Sequence, residues 1–246
     1  CFVDGTIVVQ TVADTAETEE LLQLATTTPL VRGVIGWTDM TAPGIAEELD
    51  RLGELPAGTG LVGIRSLAQY EPDPRWLARA DVIEGLRAVA RQGLTFDLLV
   101  LPHQMPAACA AARAVPETRF VLDHLGKPSV ATQQQWEIAI SEMASCPNVY
   151  VKISGLVTEH DWSGWDPQRV QPYVDFALQR FGPDRLMFGS DWPVCTLAAS
   201  YSRIVDVTAE LLSTLTATER AAVFGATAVR AYDLAERPKE QQDDRQ

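Results

Sequence analysis

The sequence predicts an α/β protein of the (β/α)8 barrel class, also called a TIM barrel. Short apolar runs rich in β-branched residues alternate with longer helical patterns, which is typical of βα units in a parallel sheet. Seven such runs start about every 25 to 35 residues, close to the length of one βα unit. The first run ends at Gln10 without the glycine-rich turn of a dinucleotide-binding sheet, which disfavours a Rossmann fold. We therefore expect a barrel whose first strand precedes Cys1 and is missing from this chain.

The predicted strands and helices alternate in order along the chain. The predicted strands are Thr6–Gln10, Val31–Trp37, Leu61–Arg65, Thr95–Leu101, Arg119–His124, Val149–Ser154 and Arg185–Ser190. Helical patterns cover Thr18–Thr26, Gly44–Leu52, Val82–Gln92, Gln104–Ala114, Gln134–Ser145, Arg169–Arg180 and Tyr201–Leu212. Because nothing breaks this alternation, residues 1–235 are expected to form a single barrel domain. Residues 236–246 are polar and have almost nothing to bury, which predicts a disordered tail.

Charge and cysteine content exclude several classes of partner. Lys and Arg number 20 against 33 Asp and Glu, and the resulting net charge of -13 disfavours binding to nucleic acid or anionic membranes. The four cysteines lack Cys-x-x-Cys spacing and are too few for a disulfide framework, which indicates a reducing compartment. No apolar run approaches the roughly 18 residues of a membrane span, and no signal peptide opens the chain. We expect a cytoplasmic protein with no membrane partner.

Polar and aromatic side chains follow the ends of the predicted strands, where a barrel of this kind builds its chemistry. They are Gln10, Trp37, Asp39, Arg65, His103, His124, Lys152, Ser154 and Asp191. Asp191 is the leading catalytic candidate, because an apolar strand stops there among small residues that let a ligand approach the backbone. The alternative is that Asp191 caps a helix, although the next helical pattern begins nearer Ala198.

Two of these strand-end residues have strong structural alternatives. His124 ends a strand whose period-two alternation places it opposite Asp123, so it is either a site residue or a satisfied core histidine. Asp123 itself is interpreted as structural. Lys152 lies inside a strand and requires an anion or a carboxylate nearby. It either binds a substrate group or forms a buried ion pair with Asp97, and both interpretations stay open.

The other two histidines lie in predicted loops. His103 follows Pro102, and a surface or helix-capping role competes there with a role in the site. His160 lies among Glu159, Asp161 and Trp162 in an aromatic loop. That loop either covers the barrel mouth or packs on itself.

Three segments carry a family resemblance. They are Leu122-Asp123-His124-Leu125-Gly126-Lys127-Pro128, Lys152-Ile153-Ser154-Gly155-Leu156 and Arg185-Leu186-Met187-Phe188-Gly189-Ser190-Asp191-Trp192-Pro193. Together they resemble the amidohydrolase superfamily, in particular its sugar-lactone hydrolases of the L-fuconolactonase and L-rhamnono-lactonase type. Gly33–Asp39, Gly63–Arg65 and Val223–Ala228 extend the similarity over nearly the whole chain. The resemblance implies a barrel similar to the metal-dependent hydrolases.

The resemblance also implies a His-x-His pair at the end of the first barrel strand. This chain has no such pair, since its three histidines are far apart. We interpret the pair as lost upstream of Cys1, together with the missing strand. His124 and Asp191 alone make a poor zinc site, because catalytic zinc takes three protein ligands. We therefore expect no required cofactor, and a weak divalent zinc site only where the upstream pair is restored.

The resemblance implies hydrolysis of a sugar-derived lactone to the open aldonic acid. Asp191 and His124 are expected to be catalytic, with Asp191 activating water. The expected substrate-binding residues are Trp37, Arg65, His103, Lys152, Ser154 and Trp192. One alternative is an amidohydrolase-type decarboxylase of an aromatic or unsaturated acid, and another is an inactive truncated barrel. The expected partner is a small lactone or a related carbohydrate acid, and a homo-oligomer stays open.

Overall fold

A single parallel sheet of seven strands forms the centre of the part of the chain that the computed structural model describes, which is residues 3–159, 162 and 164–234. The strands are Thr6–Val9 (β1), Val31–Gly36 (β2), Leu61–Ser66 (β3), Thr95–Leu98 (β4), Phe120–Leu122 (β5), Val149–Ile153 (β6) and Leu186–Phe188 (β7). Each strand pairs in parallel with the next one in sequence. Within the described residues, the outer edges of β1 and β7 have no strand partner. The sheet is therefore a TIM-barrel-like (β/α) assembly that stays open between its first and last strands.

Helices connect the strands as the sequence predicts. They are Thr15–Thr27 (α1), Ile45–Glu54 (α2), Ala80–Arg91 (α3), Met105–Ala114 (α4), Gln133–Ala144 (α5), Pro167–Phe181 (α6), Tyr201–Leu211 (α7), Ala217–Ala221 (α8) and Thr227–Ala231 (α9). Local capping explains several of their starts, because Asp14 accepts a hydrogen bond from Ala16 N and Asp166 accepts one from Gln168 N. No helix in these ranges is long and apolar enough to cross a membrane.

The sheet curls around an inner core. Ile35 of β2, Val121 of β5 and Met187 of β7 belong to one buried cluster. In a flat sheet, β2 and β7 would lie about 24 Å apart, because neighbouring strands are separated by about 4.8 Å. Such side chains meet only when the sheet is curled. A second and larger apolar layer packs the outer face of the strands against the helices.

The end of the described chain fills this inner core from the side opposite the strand tips. Ala231 and Tyr232 belong to the same buried cluster as the inward strand residues. The carbonyl of Ala231 accepts hydrogen bonds from Thr95 Oγ1 at 2.7 Å and Arg119 Nε at 2.9 Å, both at strand beginnings. The inner core is therefore closed at one end, and the strand tips form the accessible mouth.

Three predicted strands are too long by three residues each, and one of them, predicted over Arg185–Ser190, covers only Leu186–Phe188. The strand predicted to end at His124 ends at Leu122, because His124 and Leu125 have φ values of 54° and 52°, which no strand accommodates. The strand predicted to end at Leu101 leaves the ladder after Leu98, although the apolar residues beyond it stay largely buried. Cys1, His160 and the tail at 236–246 lie outside the described residues.

Candidate active site

Three side chains from neighbouring strand tips form a connected chain at the mouth. His124 follows β5, Ser154 follows β6 and Asp191 follows β7. His124 Nδ1 lies 2.8 Å from Ser154 Oγ, and His124 Nε2 lies 3.8 Å from Asp191 Oδ1. Thr158 Oγ1 donates a long hydrogen bond of 3.5 Å to Asp191 Oδ2. The imidazole therefore has a hydroxyl on one nitrogen and a carboxylate facing the other.

A left-handed backbone conformation at the strand tips orients the side chains of His124 and Asp191. His124 and Asp191 have φ values of 54° and 55°, a region that histidine and aspartate enter more readily than most residues. Gly155 has a φ of 68°, and a Cβ there would lie 2.7 Å from His124 Nδ1. A Cβ on Gly189 would lie 2.9 Å from Ser154 Cβ. The two glycines therefore provide the space in which the histidine and the serine meet.

Burial shifts the pKa values of the pair in opposite directions. Loss of solvent raises the pKa of Asp191 to about 6, with a smaller contribution from the Asp123 charge. Loss of solvent lowers the pKa of His124 to about 4, although the Asp123 charge opposes this shift. At pH 7, Asp191 is an anion and His124 is neutral, so their 3.8 Å approach is a contact between a carboxylate and a neutral ring. A carboxylate whose pKa lies just below the working pH is ionised and can still accept a proton effectively, as a general base must.

A buried network of charges lies beneath the pair. Asp123 Oδ2 contacts Arg65 Nη1 at 3.0 Å, and Asp123 Oδ1 contacts Lys152 Nζ at 2.7 Å. Lys152 Nζ also lies 2.5 Å from Asp97 Oδ2, and the Tyr232 hydroxyl donates to the same carboxylate at 3.0 Å. Both carboxylates are fully buried. Two cations and two anions therefore balance one another inside the barrel.

This network bears on the open interpretations of Lys152 and Asp123. Lys152 forms the buried ion pair with Asp97 and shares Asp123 with Arg65. Burial by itself would raise the pKa of Asp123, but Lys152 and Arg65 outweigh it and hold that pKa well below its usual value. Burial by itself would lower the pKa of Lys152, yet the two carboxylates raise it well above its usual value. Asp123 and Lys152 therefore both stay charged at neutral pH.

The other predicted substrate-binding residues lie at different distances from this cluster. Trp192 follows Asp191 directly in the chain and is 64% exposed. Trp37 follows β2 and is half-buried, with its backbone N–H donating to Thr18 Oγ1 at 2.8 Å. His103 is exposed on the short turn Pro102–Gln104 after β4. Among the described contacts, none joins Trp37 or His103 to the pair of His124 and Asp191.

Sequence reasoning missed two residues of this neighbourhood. Thr158 lies in the loop after β6, and its contact with Asp191 depends on how that loop folds back. Tyr232 lies far from any strand tip and reaches Asp97 across 135 residues of sequence. The local signal for Thr158 is its position three residues after Gly155. The Thr158 hydroxyl also lies 2.9 Å from the Gly155 carbonyl, which accepts a hydrogen bond from it.

The described residues do not provide a complete zinc site. His124 and Asp191 offer one imidazole and one carboxylate, whereas catalytic zinc takes three protein ligands. No group of three or more histidine, cysteine, aspartate or glutamate side chains in residues 3–159, 162 and 164–234 could hold a metal ion. The two donors therefore do not fit the metal on their own.

Parallel strands curled around an inner core, with a carboxylate and an imidazole at their carboxyl ends, are the architecture of a TIM-barrel enzyme. Comparison with known families agrees with this class. The chain belongs to the amidohydrolase family, because the family model described as Amidohydrolase matches residues 2–234.

Two bacterial L-fucono-1,5-lactonases are among the proteins similar to this chain. The chain is 40% identical over 245 residues to the L-fucono-1,5-lactonase of Burkholderia multivorans (strain ATCC 17616 / 249), covering 94% of this chain and 81% of that protein. The L-fucono-1,5-lactonase of Burkholderia ambifaria is 37% identical over 203 residues, covering 81% and 68%. A crystal structure of an amidohydrolase from B. multivorans with bound Zn superposes with a TM-score of 0.89 at 39% identity, covering 94% of this chain and 84% of that one. The similarity confirms the predicted barrel fold and the sugar-lactone branch of the family.

Proposed function

We propose that this protein hydrolyses a sugar-derived lactone, with L-fucono-1,5-lactone as the first substrate to test. The observation that carries the proposal is the half-buried, ionised Asp191 facing the neutral ring of His124 at the barrel mouth. The names of the relatives, L-fucono-1,5-lactonase, support the choice of substrate. The expected product of lactone opening is a single open-chain acid, which carries one new hydroxyl group and one new carboxylic acid group.

Asp191 acts as the general base in the proposed mechanism. Its carboxylate removes a proton from water while the water oxygen bonds to the lactone carbonyl carbon. When the tetrahedral intermediate collapses, the bond between that carbon and the ring oxygen breaks. The proton held by Asp191 then passes to the departing ring oxygen, which leaves the open hydroxy acid and restores the base. A pKa of about 6 suits a group that must both take and return a proton near neutral pH.

His124 and the buried cations stabilise the negative charge of the intermediate. A neutral imidazole can donate one hydrogen bond to the carbonyl oxygen, a contribution of about 3 kcal/mol for a well-placed donor. Arg65 and Lys152 are held by Asp123, so we assign them a smaller role through their field and through the positions they fix. The exposed ring of Trp192 offers an apolar face to the sugar ring.

The experiment is a pH-stat assay on a panel of lactones that differ in sugar and ring size. Each lactone opened by the enzyme releases one acid equivalent above the uncatalysed rate, and the Asp191→Asn variant supplies the matched blank. Parallel incubations with aromatic and unsaturated acids are monitored for carbon dioxide, which decarboxylation evolves and lactone opening does not. Acid release with 1,5-lactones supports the proposal, whereas carbon dioxide release, or inactivity on every lactone, would contradict it.

A separate prediction, tested with the same assay, is that lactone hydrolysis does not depend on a metal ion. Because the described residues offer two donors rather than three, dialysis against EDTA is expected to leave kcat/KM unchanged. Elemental analysis of protein purified without added metal is the accompanying measurement. Loss of activity in EDTA that zinc restores would show that the prediction is wrong.

The pH profile should report the ionisation of Asp191. The base must be charged to accept a proton, so kcat/KM is expected to fall about tenfold per pH unit below about pH 6 and to level above it. His124, with a pKa of about 4, stays neutral through this limb and adds no second inflection near pH 6. Initial rates between about pH 4.5 and 7.5 measure the profile. A flat profile across this interval would contradict the raised pKa of Asp191.

A further inference from the structure

The hydrogen bond between Ser154 and His124 has two possible directions. The 2.8 Å contact between Ser154 Oγ and His124 Nδ1 forms when Nδ1 carries the proton and donates, or when the serine hydroxyl donates to an unprotonated Nδ1. In a neutral ring, the first case leaves a lone pair on Nε2, and the second leaves a proton there. The direction of this bond therefore decides what His124 presents to the mouth.

The position of Asp191 favours the second direction. Its carboxylate oxygen lies 3.8 Å from His124 Nε2. A lone pair on Nε2 would face this anion and be repelled, whereas an N–H would be attracted. The side chains of both residues are less than a fifth exposed, at 13% and 17%, so water screens the difference only weakly.

The surroundings of Ser154 favour a hydrogen bond from its hydroxyl to the His124 ring. It is buried at 6% exposure, and the hydrogen bond that the described contacts give its hydroxyl is the one to His124. Gly155 and Gly189 lie against His124 and Ser154 at distances that a Cβ would make too short, so neighbouring backbone confines the two side chains. A buried hydroxyl held against an imidazole nitrogen by backbone has little freedom to turn elsewhere.

We propose that Ser154 is a positioning residue that holds His124 as the Nε2–H tautomer, so that the ring donates toward Asp191 and the reacting oxygen of the substrate. The role of this tautomer in catalysis rests on the proposed function, whereas the tautomer itself does not. Ser154 then acts through His124 and needs no contact with the substrate, which replaces the substrate-binding role that the sequence suggested for it.

NMR tests the tautomer without any substrate. Two-bond ¹⁵N–¹H correlation spectra distinguish the two neutral tautomers of each ring, and the chain has only three histidines. The variants His103→Gln and His160→Gln each remove one ring signal, which assigns the remaining one to His124. We expect Nε2–H for His124 in the unmodified protein. In Ser154→Ala only the Asp191 charge still favours this tautomer, so we expect a measurable Nδ1–H population beside it. The Nδ1–H tautomer in the unmodified protein, or an unchanged tautomer in Ser154→Ala, would overturn the proposal.

Kinetics test the consequence with matched variants. Ser154→Ala is expected to lower kcat by about tenfold or more with little change in KM, because it alters the donor and not the binding surface. Ser154→Thr keeps the hydroxyl and is expected to restore both the tautomer and most of kcat. Ser141→Ala removes a hydroxyl that bonds only to the α5 backbone and serves as the control. A raised KM with unchanged kcat in Ser154→Ala would assign Ser154 to substrate binding and refute the positioning role.

The two failures remain distinguishable. An Nε2–H ring that depends on Ser154 in a protein that opens no lactone would support the positioning role and refute the proposed function. Lactone opening by a protein whose His124 is the Nδ1–H tautomer would support the proposed function and refute the positioning role.

Discussion

Asp191→Asn is expected to lower kcat/KM for lactone hydrolysis by about 10³-fold. The amide has nearly the same size as the carboxylate and tolerates the left-handed backbone at φ 55°, but it cannot accept a proton from water. Initial rates in the pH-stat assay measure the loss. Asp184→Asn is the matched control, because the side chain of Asp184 is 84% exposed and remote from the mouth, and its activity should equal that of the unmodified protein.

The same substitution is expected to make the fold more stable at high pH. The folded-state pKa of Asp191 is raised to about 6, so the folded protein holds this proton more tightly than the unfolded chain does. Its contribution to stability is therefore present below the usual value of 3.8 and is lost as pH rises through about 6. Near pH 8 the folded protein must hold Asp191 as a charged carboxylate in a site that disfavours the charge. Asp191→Asn removes this charge, so the free energy of unfolding should increase by about 1–3 kcal/mol.

Urea unfolding at two pH values separates this effect from general stabilisation. The difference between Asp191→Asn and the unmodified protein should shrink towards zero near pH 3.5, where both side chains are neutral. A constant difference at both pH values, or an active variant, would contradict the assignment of Asp191 as a half-buried base with a raised pKa.

Asp123→Asn should cause the largest loss of stability. Its carboxylate is fully buried and balances Arg65 and Lys152, so the amide leaves one positive charge in excess inside the barrel. Removing one partner from a buried ion pair costs about 3–5 kcal/mol. Chemical denaturation measures the change in the free energy of unfolding. Asp81→Asn, in an exposed pair with Arg79, is the control and should change stability little.

A double variant tests the charge argument directly. Asp123→Asn combined with Lys152→Met leaves Asp97 and Arg65, so the network is again electrically balanced. The double variant is therefore expected to lose less stability than the sum of the two single variants. Additive losses would show that shape, and not charge balance, dominates at this position.

The order of strands and helices could be predicted because it depends on local patterns. Apolar runs and helical periodicity mark each βα unit whatever its neighbours are, and the observed elements lie within a few residues of the predicted ones. The strand end at Leu122 could not be predicted, because it depends on the left-handed conformation of His124, whose ring packs against Gly155 and Ser154. Period-two alternation therefore failed at the residue that matters most for the site.

The candidate site was predictable where its residues stand at strand tips. Asp191 and His124 were identified from position alone, and the structure brings them within 3.8 Å of each other. The partner of Lys152 could not be chosen from the sequence, because that choice depends on which side chains meet across the inside of the barrel. Tyr232 gave no signal, since its contact joins residues 135 positions apart.

The contact between Tyr232 and Asp97 also determines when the inner core can become complete during synthesis of the chain. A ribosome makes Asp97 long before residue 232, and until then the buried carboxylate lacks its hydroxyl donor and the inner core lacks Ala231. The helices outside the early strands can pack while the chain is still growing, because their contacts are local in sequence. The inner core beneath the mouth is completed only after α9 and Tyr232 have been made. The interior of a nascent chain therefore stays incomplete until residue 232 has emerged from the exit tunnel, and ordering of the charge network follows that step.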